Sequence, residues 1–275
     1  MTLDVLGQAP GELRASVPAK APTGWQVTTT PRSPLRIRSL RLPVQKTVSV
    51  QVTVPPGTAA GSYPVRLMVE ADGAGQVTLD ATVEVRPAAK CATATDKQCA
   101  VDLSRDMAHD GTASTDNPGQ GDFDGSGWSY DAGLLPAAGP VTWDGIRYEA
   151  PDPTGTAANF VEAGSQTLLL PARSHGTLHL VAASRNGPVT TALTVRYTDG
   201  SSSEVPLKVG NWADQAPDGT TVVLDMPHRI KAGQGVDGPP VRLFGSSVEL
   251  DSTKEMRSLT LPNDRRIEVY AITLS

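Results

Sequence analysis

The sequence predicts an all-β protein with two β-sandwich domains. Two observations carry this prediction: repeated runs in which apolar and polar residues alternate, and an excess of glycine and proline between those runs. The 275 residues include 26 Gly and 23 Pro, about 18% of the chain against about 12% in average proteins. Alternation with β-branched residues is typical of half-buried antiparallel strands, and segments rich in Gly and Pro are typical of turns.

The first domain is predicted to span residues 1–87. Val48, Val50, Val52 and Val54 alternate with polar residues, and a second alternating run from Tyr63 follows the turn segment PPGTAAGSYP. Further alternation over residues 77–85 completes the pattern. Together these runs predict a small β-sandwich of about seven short strands.

Residues 88–100 are predicted to form a linker that carries a disulfide loop. The segment begins after Arg86-Pro87 and contains Cys91 and Cys99 in the polar stretch CATATDKQC. The close spacing suits a small disulfide loop, which belongs to oxidising compartments, although two unrelated reduced thiols are the alternative. A disulfide without an apparent signal peptide leads us to expect a piece of a longer, secreted protein.

The second domain is predicted over residues 101–275. Short β-rich runs recur between turn signals at intervals of roughly 8–12 residues, which is typical of a larger sandwich or a jelly roll. Asp199-Gly200 is a strong turn signal and predicts a hairpin at that point.

The overall composition argues against two classes of partner. The formal net charge is −5, so the basic excess that nucleic-acid binding requires is missing. The sequence also lacks an apolar run of the length that a transmembrane helix needs. We therefore expect neither nucleic acid nor membrane as a partner.

The position of the aromatic residues gives the main functional hint. Aromatics make up only 4% of the chain, yet several fall beside turns in the second half. An aromatic face offers apolar area with a polar rim, which suits stacking on a sugar ring. The candidates for carbohydrate binding are Trp128, Tyr130 and Trp212. The alternative is that tryptophans such as Trp25, Trp143 and Trp212 fill the sandwich cores.

The segment 110–131 combines acidic residues with many glycines. Asp122 and Asp124 flank Phe123, so in an extended chain their carboxylates share one face. Oxygen-rich loops can bind Ca²⁺, which makes this pair a candidate for a structural calcium site. The alternative is a turn-rich loop in which the aspartates accept hydrogen bonds from backbone amides. No other cofactor is expected.

Two stretches resemble known families. APTGWQVT and VSVQVTVPPGTAAGSYPVRLMVE resemble the NPCBM-associated domain of alpha-galactosidases, which implies an immunoglobulin-like sandwich over about residues 10–87. The stretch GDFDGSGWSYDAGLLPAAGPVTWDGIRYEAPDP and the ending KEMRSLTLPNDRRIEVYAITL resemble a C-terminal domain of secreted actinobacterial glycoside hydrolases. That resemblance implies a galactose-binding-like jelly roll over about residues 100–275, without catalytic residues.

The resemblances lead to three functional hypotheses. The preferred one is a non-catalytic accessory region of a secreted glycoside hydrolase that binds or positions carbohydrate, with the catalytic domain in the same parent chain. The second is a purely structural spacer that packs on a catalytic domain, which predicts that Trp128 and Trp212 are buried. The third is a small glycoside hydrolase, which needs two facing carboxylates in a sugar cleft.

Overall fold

The computed structural model divides the chain into two compact units, Met1–Pro87 and Ala88–Ser275. It describes residues 2–7, 11–30, 35–37, 44–55, 57–71, 75–95 and 97–275. Every regular element in these ranges is a β-strand, which agrees with the all-β prediction. Across the same ranges there is no helical segment with the length and apolar character that a membrane crossing requires.

The first unit is a sandwich of two antiparallel sheets with the strand orders β1-β5-β3 and β4-β2-β6-β7. Its strands are β1 Thr2–Gly7, β2 Gly11–Lys20, β3 Gln26–Thr30, β4 Leu35–Ile37, β5 Val44–Thr53, β6 Gly61–Ala71 and β7 Gly75–Val85. The number of strands and the alternating runs that predicted them are therefore confirmed.

Alternating residues of facing strands form the core of the first unit. Val27 and Val50 belong to one sheet, Val65 and Leu67 to the other, and all four are buried. Trp25 packs against this cluster, with its ring centroid 5.0 Å from that of Tyr63. Trp25 therefore has the core position that the alternative interpretation gave it.

The second unit is built on a seven-stranded sheet, a four-stranded sheet that faces it, and shorter strands that cover its other side. Its strands are β8 Cys91–Ala94, β9 Cys99–Val101, β10 Thr112–Ala113, β11 Trp128–Asp131, β12 Gly139–Trp143, β13 Ile146–Ala150, β14 Val161–Glu162, β15 Thr167–Ser174, β16 Thr177–Ser184, β17 Val189–Tyr197, β18 Ser202–Val209, β19 Thr221–Met226, β20 Arg229–Lys231, β21 Gly235–Asp237, β22 Val241–Glu249, β23 Glu255–Thr260 and β24 Ile267–Leu274.

The seven-stranded sheet is the central layer of this unit. Its strand order is β19-β22-β16-β24-β9-β8, with β14 pairing separately with β24. The four-stranded sheet β15-β23-β17-β18 covers one face. In β16, Leu178 and Leu180 contribute to the core on that face, whereas Val181 and Ala183 contribute to a second core on the opposite face. All eight residues of β24 are buried.

The second core is rich in aromatic rings. It lies under β11, β13 and the connecting segments, and its buried aromatic members are Phe123, Tyr130, Tyr148, Phe160, Trp212, Phe244 and Tyr270. Two glycines allow this close packing: a Cβ on Gly111 would lie 2.8 Å from a Phe123 ring atom, and a Cβ on Gly210 would lie 2.7 Å from a Phe244 ring atom. The sequence predicted a sandwich or jelly roll but gave no sign of this additional layer.

The segment predicted to be a linker is part of the central sheet. β9 pairs with β24, and β8 pairs with β9. Cys91 and Cys99 form a disulfide with a Cα–Cα distance of 5.1 Å. The disulfide is thus confirmed, but the linker prediction is wrong from Cys91 onward, because short polar strands beside turn residues resemble a loop in the sequence.

The hairpin predicted at Asp199-Gly200 is confirmed. It joins β17 to β18, and Arg196 lies opposite Ser202 in the ladder. Gly200 has a φ of 86°, and the Asp199 carboxylate accepts a hydrogen bond from the Ser201 amide at 2.8 Å. A positive φ at the glycine is what an Asp-Gly turn requires.

Candidate functional site

Trp128 lies half-buried at the start of β11, on the layer that covers the central sheet. Its backbone position is opposite Lys231 of β20. The Lys231 Nζ atom is 3.3 Å from the indole centroid, and the Arg229 Cζ atom is 4.5 Å from it. Alternate residues of a strand share a face, so β20 places two cations over one aromatic ring.

Asp237 fixes the orientation of this indole. Trp128 Nε1 donates to Asp237 Oδ2 at 2.8 Å, and Arg229 donates to the same oxygen from Nε and Nη2, both at 3.2 Å. The hydrogen bond from Trp128 lowers the pKa of Asp237, with further lowering by Arg229 and by the charge of Lys231, although burial acts in the opposite direction. We call Trp128, Arg229, Lys231 and Asp237 the Trp128 face.

A turn that contains the two candidate calcium ligands leads into the Trp128 face. Asp122 Oδ1 accepts a hydrogen bond from Gly127 N at 2.8 Å. Asp124 Oδ1 accepts from Ser126 N at 2.8 Å and from Trp128 N at 3.2 Å. Such bonds hold a turn without any metal. Within the ranges that the structure describes, no group of three or more His, Cys, Asp or Glu side chains is arranged for a metal ion. Calcium binding by Asp122 and Asp124 stays a prediction.

The other two predicted carbohydrate ligands are core residues. Tyr130 has no exposed surface, and Trp212 is 3% exposed. Their ring centroids are 5.1 Å apart in an edge-to-face arrangement, and Tyr130 OH donates to the Arg242 carbonyl at 2.8 Å. Neither side chain offers an open ring face to a sugar. This corrects the prediction for Tyr130 and Trp212, because they lie beside turns in sequence but beneath the covering layer in the structure.

His228 and Asp131 form a second polar contact on the same strands, which the sequence reasoning missed. His228 Nε2 lies 2.8 Å from Asp131 Oδ2, and Asp131 also accepts from Gly133 N at 2.8 Å. Asp131 ends β11, and His228 directly precedes β20. The contact could not be found from spacing, because 97 residues separate the two partners.

A buried pair formed by Glu268 and His109 lies beneath the turn at residues 122–127. Glu268 of β24 has no exposed surface, and His109 Nδ1 is 2.8 Å from its Oε1 atom, outside hydrogen-bond geometry. His109 Nε2 donates to the Asp122 carbonyl at 2.8 Å, so this nitrogen carries a proton. Burial raises the pKa of Glu268, although the charges of His109 and Arg185 oppose the change.

Glu162 and Glu268 share one guanidinium, but they do not form a sugar cleft. Arg185 Nη2 is 2.6 Å from Glu162 Oε2 and 3.7 Å from Glu268 Oε1. A glycosidase needs both carboxyl groups open to the substrate, and Glu268 is fully buried. This pair therefore does not support hydrolysis.

Two family models match the chain, one in each unit. Residues 6–72 match the model described as the NPCBM-associated, NEW3 domain of alpha-galactosidase. Residues 97–232 match the model of an AziU2-like beta-sandwich domain. The resemblance to the NPCBM-associated domain is confirmed, and the second region is confirmed as a β-sandwich.

A comparison with solved structures finds a chain from a study titled "Structural basis for the promiscuous specificity of the carbohydrate-binding modules from the beta-sandwich super family". The alignment covers 97% of this protein and 82% of that chain, at 11% sequence identity and a TM-score of 0.21. No curated protein sequence matches the chain.

Proposed function

We propose that this protein is a non-catalytic accessory region that binds or positions carbohydrate through the Trp128 face. The observation that carries the proposal is the half-buried Trp128 indole with Asp237, Arg229 and Lys231 around it. An aromatic ring offers apolar area to the C–H face of a sugar, while the neighbouring carboxylate and cations offer hydrogen bonds to its hydroxyl groups.

The cations over the ring set a condition on binding. A sugar that stacks on the indole has to displace Lys231 Nζ from its position 3.3 Å from the ring centroid. The displacement also breaks the hydrogen bond that Lys231 Nζ donates to the Ser126 carbonyl at 2.7 Å. An exposed cation–π contact contributes only about 0.5–1 kcal/mol, and Lys231 has a flexible stem. The displaced ammonium group then becomes a donor to the ligand.

The proposal extends to the setting in which the region works. The match to a domain of alpha-galactosidase supports a glycoside hydrolase domain in the same parent chain. The Cys91–Cys99 disulfide supports secretion into an oxidising compartment. In this proposal the ligand is carbohydrate, and the catalytic domain carries out the hydrolysis.

Trp128→Ala tests the proposal. We expect binding to polysaccharide to weaken by about 1–3 kcal/mol, taking stacking of nucleic-acid bases on aromatic side chains as the nearest measured analogue. The measurement is retardation in affinity electrophoresis across a panel of plant and fungal glycans. Trp143→Ala is the matched control, because Trp143 is also half-buried and packs on the same core. Equal retardation of wild type and Trp128→Ala on every glycan would refute the proposal.

A structural spacer is the second candidate, and the burial of Tyr130 and Trp212 favours it. A spacer uses its aromatic residues for packing and binds no glycan. In the same assay, the spacer predicts that wild type migrates identically in gels with and without polysaccharide.

A further inference from the structure

A groove of about 420 Å³ lies between two turns at one end of the central sheet. One side is the turn of the β8–β9 hairpin, with Thr95, Lys97 and Gln98. The other side is the end of β15 and the turn that follows it, with Ser174 and Arg173. These strands differ from those that carry the Trp128 face. The volume falls in the range of small-molecule sites.

The charged side chains that line this groove are positive. Lys97 and Arg173 are the charged side chains among its described lining residues, and both are exposed. No described residue provides either of them with a side-chain hydrogen bond or an ion pair. Asp96, between Thr95 and Lys97 in the sequence, lies outside the described residues. An exposed cation without a carboxylate partner is free to bind an anionic ligand.

The polar groups around the two cations are held in place before any ligand arrives. Thr95 Oγ1 accepts from the amides of Lys97 at 3.3 Å and Gln98 at 3.0 Å. The Gln98 side chain donates to the Gly145 carbonyl at 3.3 Å and accepts from Arg147 N at 3.1 Å. The Cys91–Cys99 disulfide closes the same hairpin. These polar groups therefore need little ordering on binding, and the remaining cost is that of ordering the exposed Lys97 and Arg173 side chains.

His175 and Ser275 also line the groove. The main-chain oxygen of Ser275 accepts hydrogen bonds from Gly176 N at 2.7 Å and Thr177 N at 2.9 Å, so this acceptor is already occupied. His175 is buried, with its Nε2 atom lacking a hydrogen-bond partner among the described residues. Burial lowers the pKa of His175, and the charge of Arg173 lowers it further, which is consistent with a positive field in the groove.

We propose that this groove binds the anionic group of an acidic saccharide, with Lys97 and Arg173 contacting a carboxylate or a sulfate ester. The described lining residues include no Phe, Tyr or Trp ring, so stacking ligands are disfavoured. Hydroxyl groups from Thr95 and Ser174 suit a ligand that is itself rich in hydroxyls. The negative charge of the ligand is inferred from the groove alone, whereas its assignment as a saccharide rests on the function proposed above.

The test uses the full chain and isothermal titration calorimetry. The probes are an oligogalacturonate, the neutral galactose oligosaccharide of the same length, a sulfated galactose oligosaccharide and inorganic sulfate. Lys97→Gln/Arg173→Gln should weaken binding of the acidic oligosaccharides about tenfold, because two charge-assisted contacts are lost. The matched control is Arg196→Gln/Lys208→Gln, which removes the same charge from exposed positions on β17 and β18. Melting temperatures of all variants confirm that they are folded.

The outcomes separate this inference from the proposed function. It is supported if an acidic oligosaccharide binds more tightly than the neutral one, and the first double variant loses that preference while the control and Trp128→Ala keep it. It is overturned if the control loses as much affinity as the first double variant, or if no acidic oligosaccharide binds. If inorganic sulfate binds as tightly as the sulfated sugar, the assignment of the ligand as a saccharide is overturned. If Trp128→Ala loses neutral-sugar binding and wild type shows no preference for an acidic oligosaccharide, the proposed function stands and this inference is refuted.

Discussion

Glu268 places a carboxylic acid inside the central strand β24, with none of its surface exposed. An ionised carboxylate in such a position needs a partner, since removing it from water is costly. His109 and Arg185 supply positive charge at 2.8 and 3.7 Å from Oε1. The His109 ring also contacts the Asp122 carbonyl, so the pair connects the central sheet to the turn that leads to Trp128.

His109 should make the stability of the protein depend on pH. Burial lowers the pKa of His109, but the contact with Glu268 and the Asp122 carbonyl outweigh burial and hold it above the ordinary value of 6.5. A raised pKa means that the folded state favours the protonated ring. Its contribution is fully present below the unfolded pKa and is lost as pH rises through the folded pKa. We expect His109→Gln to lower the free energy of unfolding by about 1–3 kcal/mol near pH 6 and by less near pH 8.

His179→Gln provides a control with the opposite sign. Burial lowers the pKa of His179, so its contribution is present above the unfolded pKa and is lost as pH falls. Urea denaturation of both variants and wild type across this pH range gives the two differences. If the His109→Gln difference is as large near pH 8 as near pH 6, or larger, then His109 does not carry a raised pKa.

The sequence could not distinguish surface from core for single aromatic residues. Trp128 and Tyr130 are two residues apart in one strand, yet Trp128 is half-buried and Tyr130 is fully buried. Local pattern shows only that both lie on the same side of an extended strand. The Tyr130 ring is covered by Phe160 and Trp212, which come from distant parts of the chain.

Among the strands, β8 and β9 are too short for backbone hydrogen bonds alone to keep them paired with the central sheet. They contain four and three residues and form the edge of the central sheet. The Cys91–Cys99 disulfide restricts the unfolded chain and so favours the paired state. The sheet edge and the cationic groove beside it therefore depend on this cross-link.

Cys91→Ala/Cys99→Ala should lower the free energy of unfolding by roughly 2.6 kcal/mol, the value that the chain-entropy model gives for so short a loop. Alanine is used because Cys99 is 1% exposed and a hydroxyl there would be buried. The measurement is urea denaturation, with wild type under a reducing agent as the control. A loss below about 0.5 kcal/mol in both samples would contradict the predicted role.

Strand prediction from alternation was correct where one face of a sheet is exposed to solvent, and it was incomplete where both faces are buried. The pattern in Val205–Val209 alternates with exposure, as the burial of β18 confirms. In β24 every residue is buried, because the sheet is covered on both sides. Sequence alternation cannot indicate a second covering layer, since nothing local shows which loops fold over the sheet.

For the molecule as a whole, the second unit has all the parts of an independent domain. Both of its cores are formed by residues from 88–275. A polypeptide with these residues alone should show β-sheet circular dichroism and one cooperative thermal transition, because the central sheet contributes residues to both cores and so couples them. The control is the same scan on the full chain, which should contain a transition within about 5 °C. Broad, non-cooperative melting of the isolated polypeptide would contradict the assignment of the domain.

The covering layer has a consequence for how such a protein can evolve. The sheet β15-β23-β17-β18 and the central sheet share one core. The Trp128 face lies on β11, β20 and β21, over the other core. Substitutions on the outer surface of this layer leave the sandwich core untouched. Selection can therefore change the residues of the Trp128 face while the same scaffold is inherited, and descendants with different outer surfaces can keep a common framework.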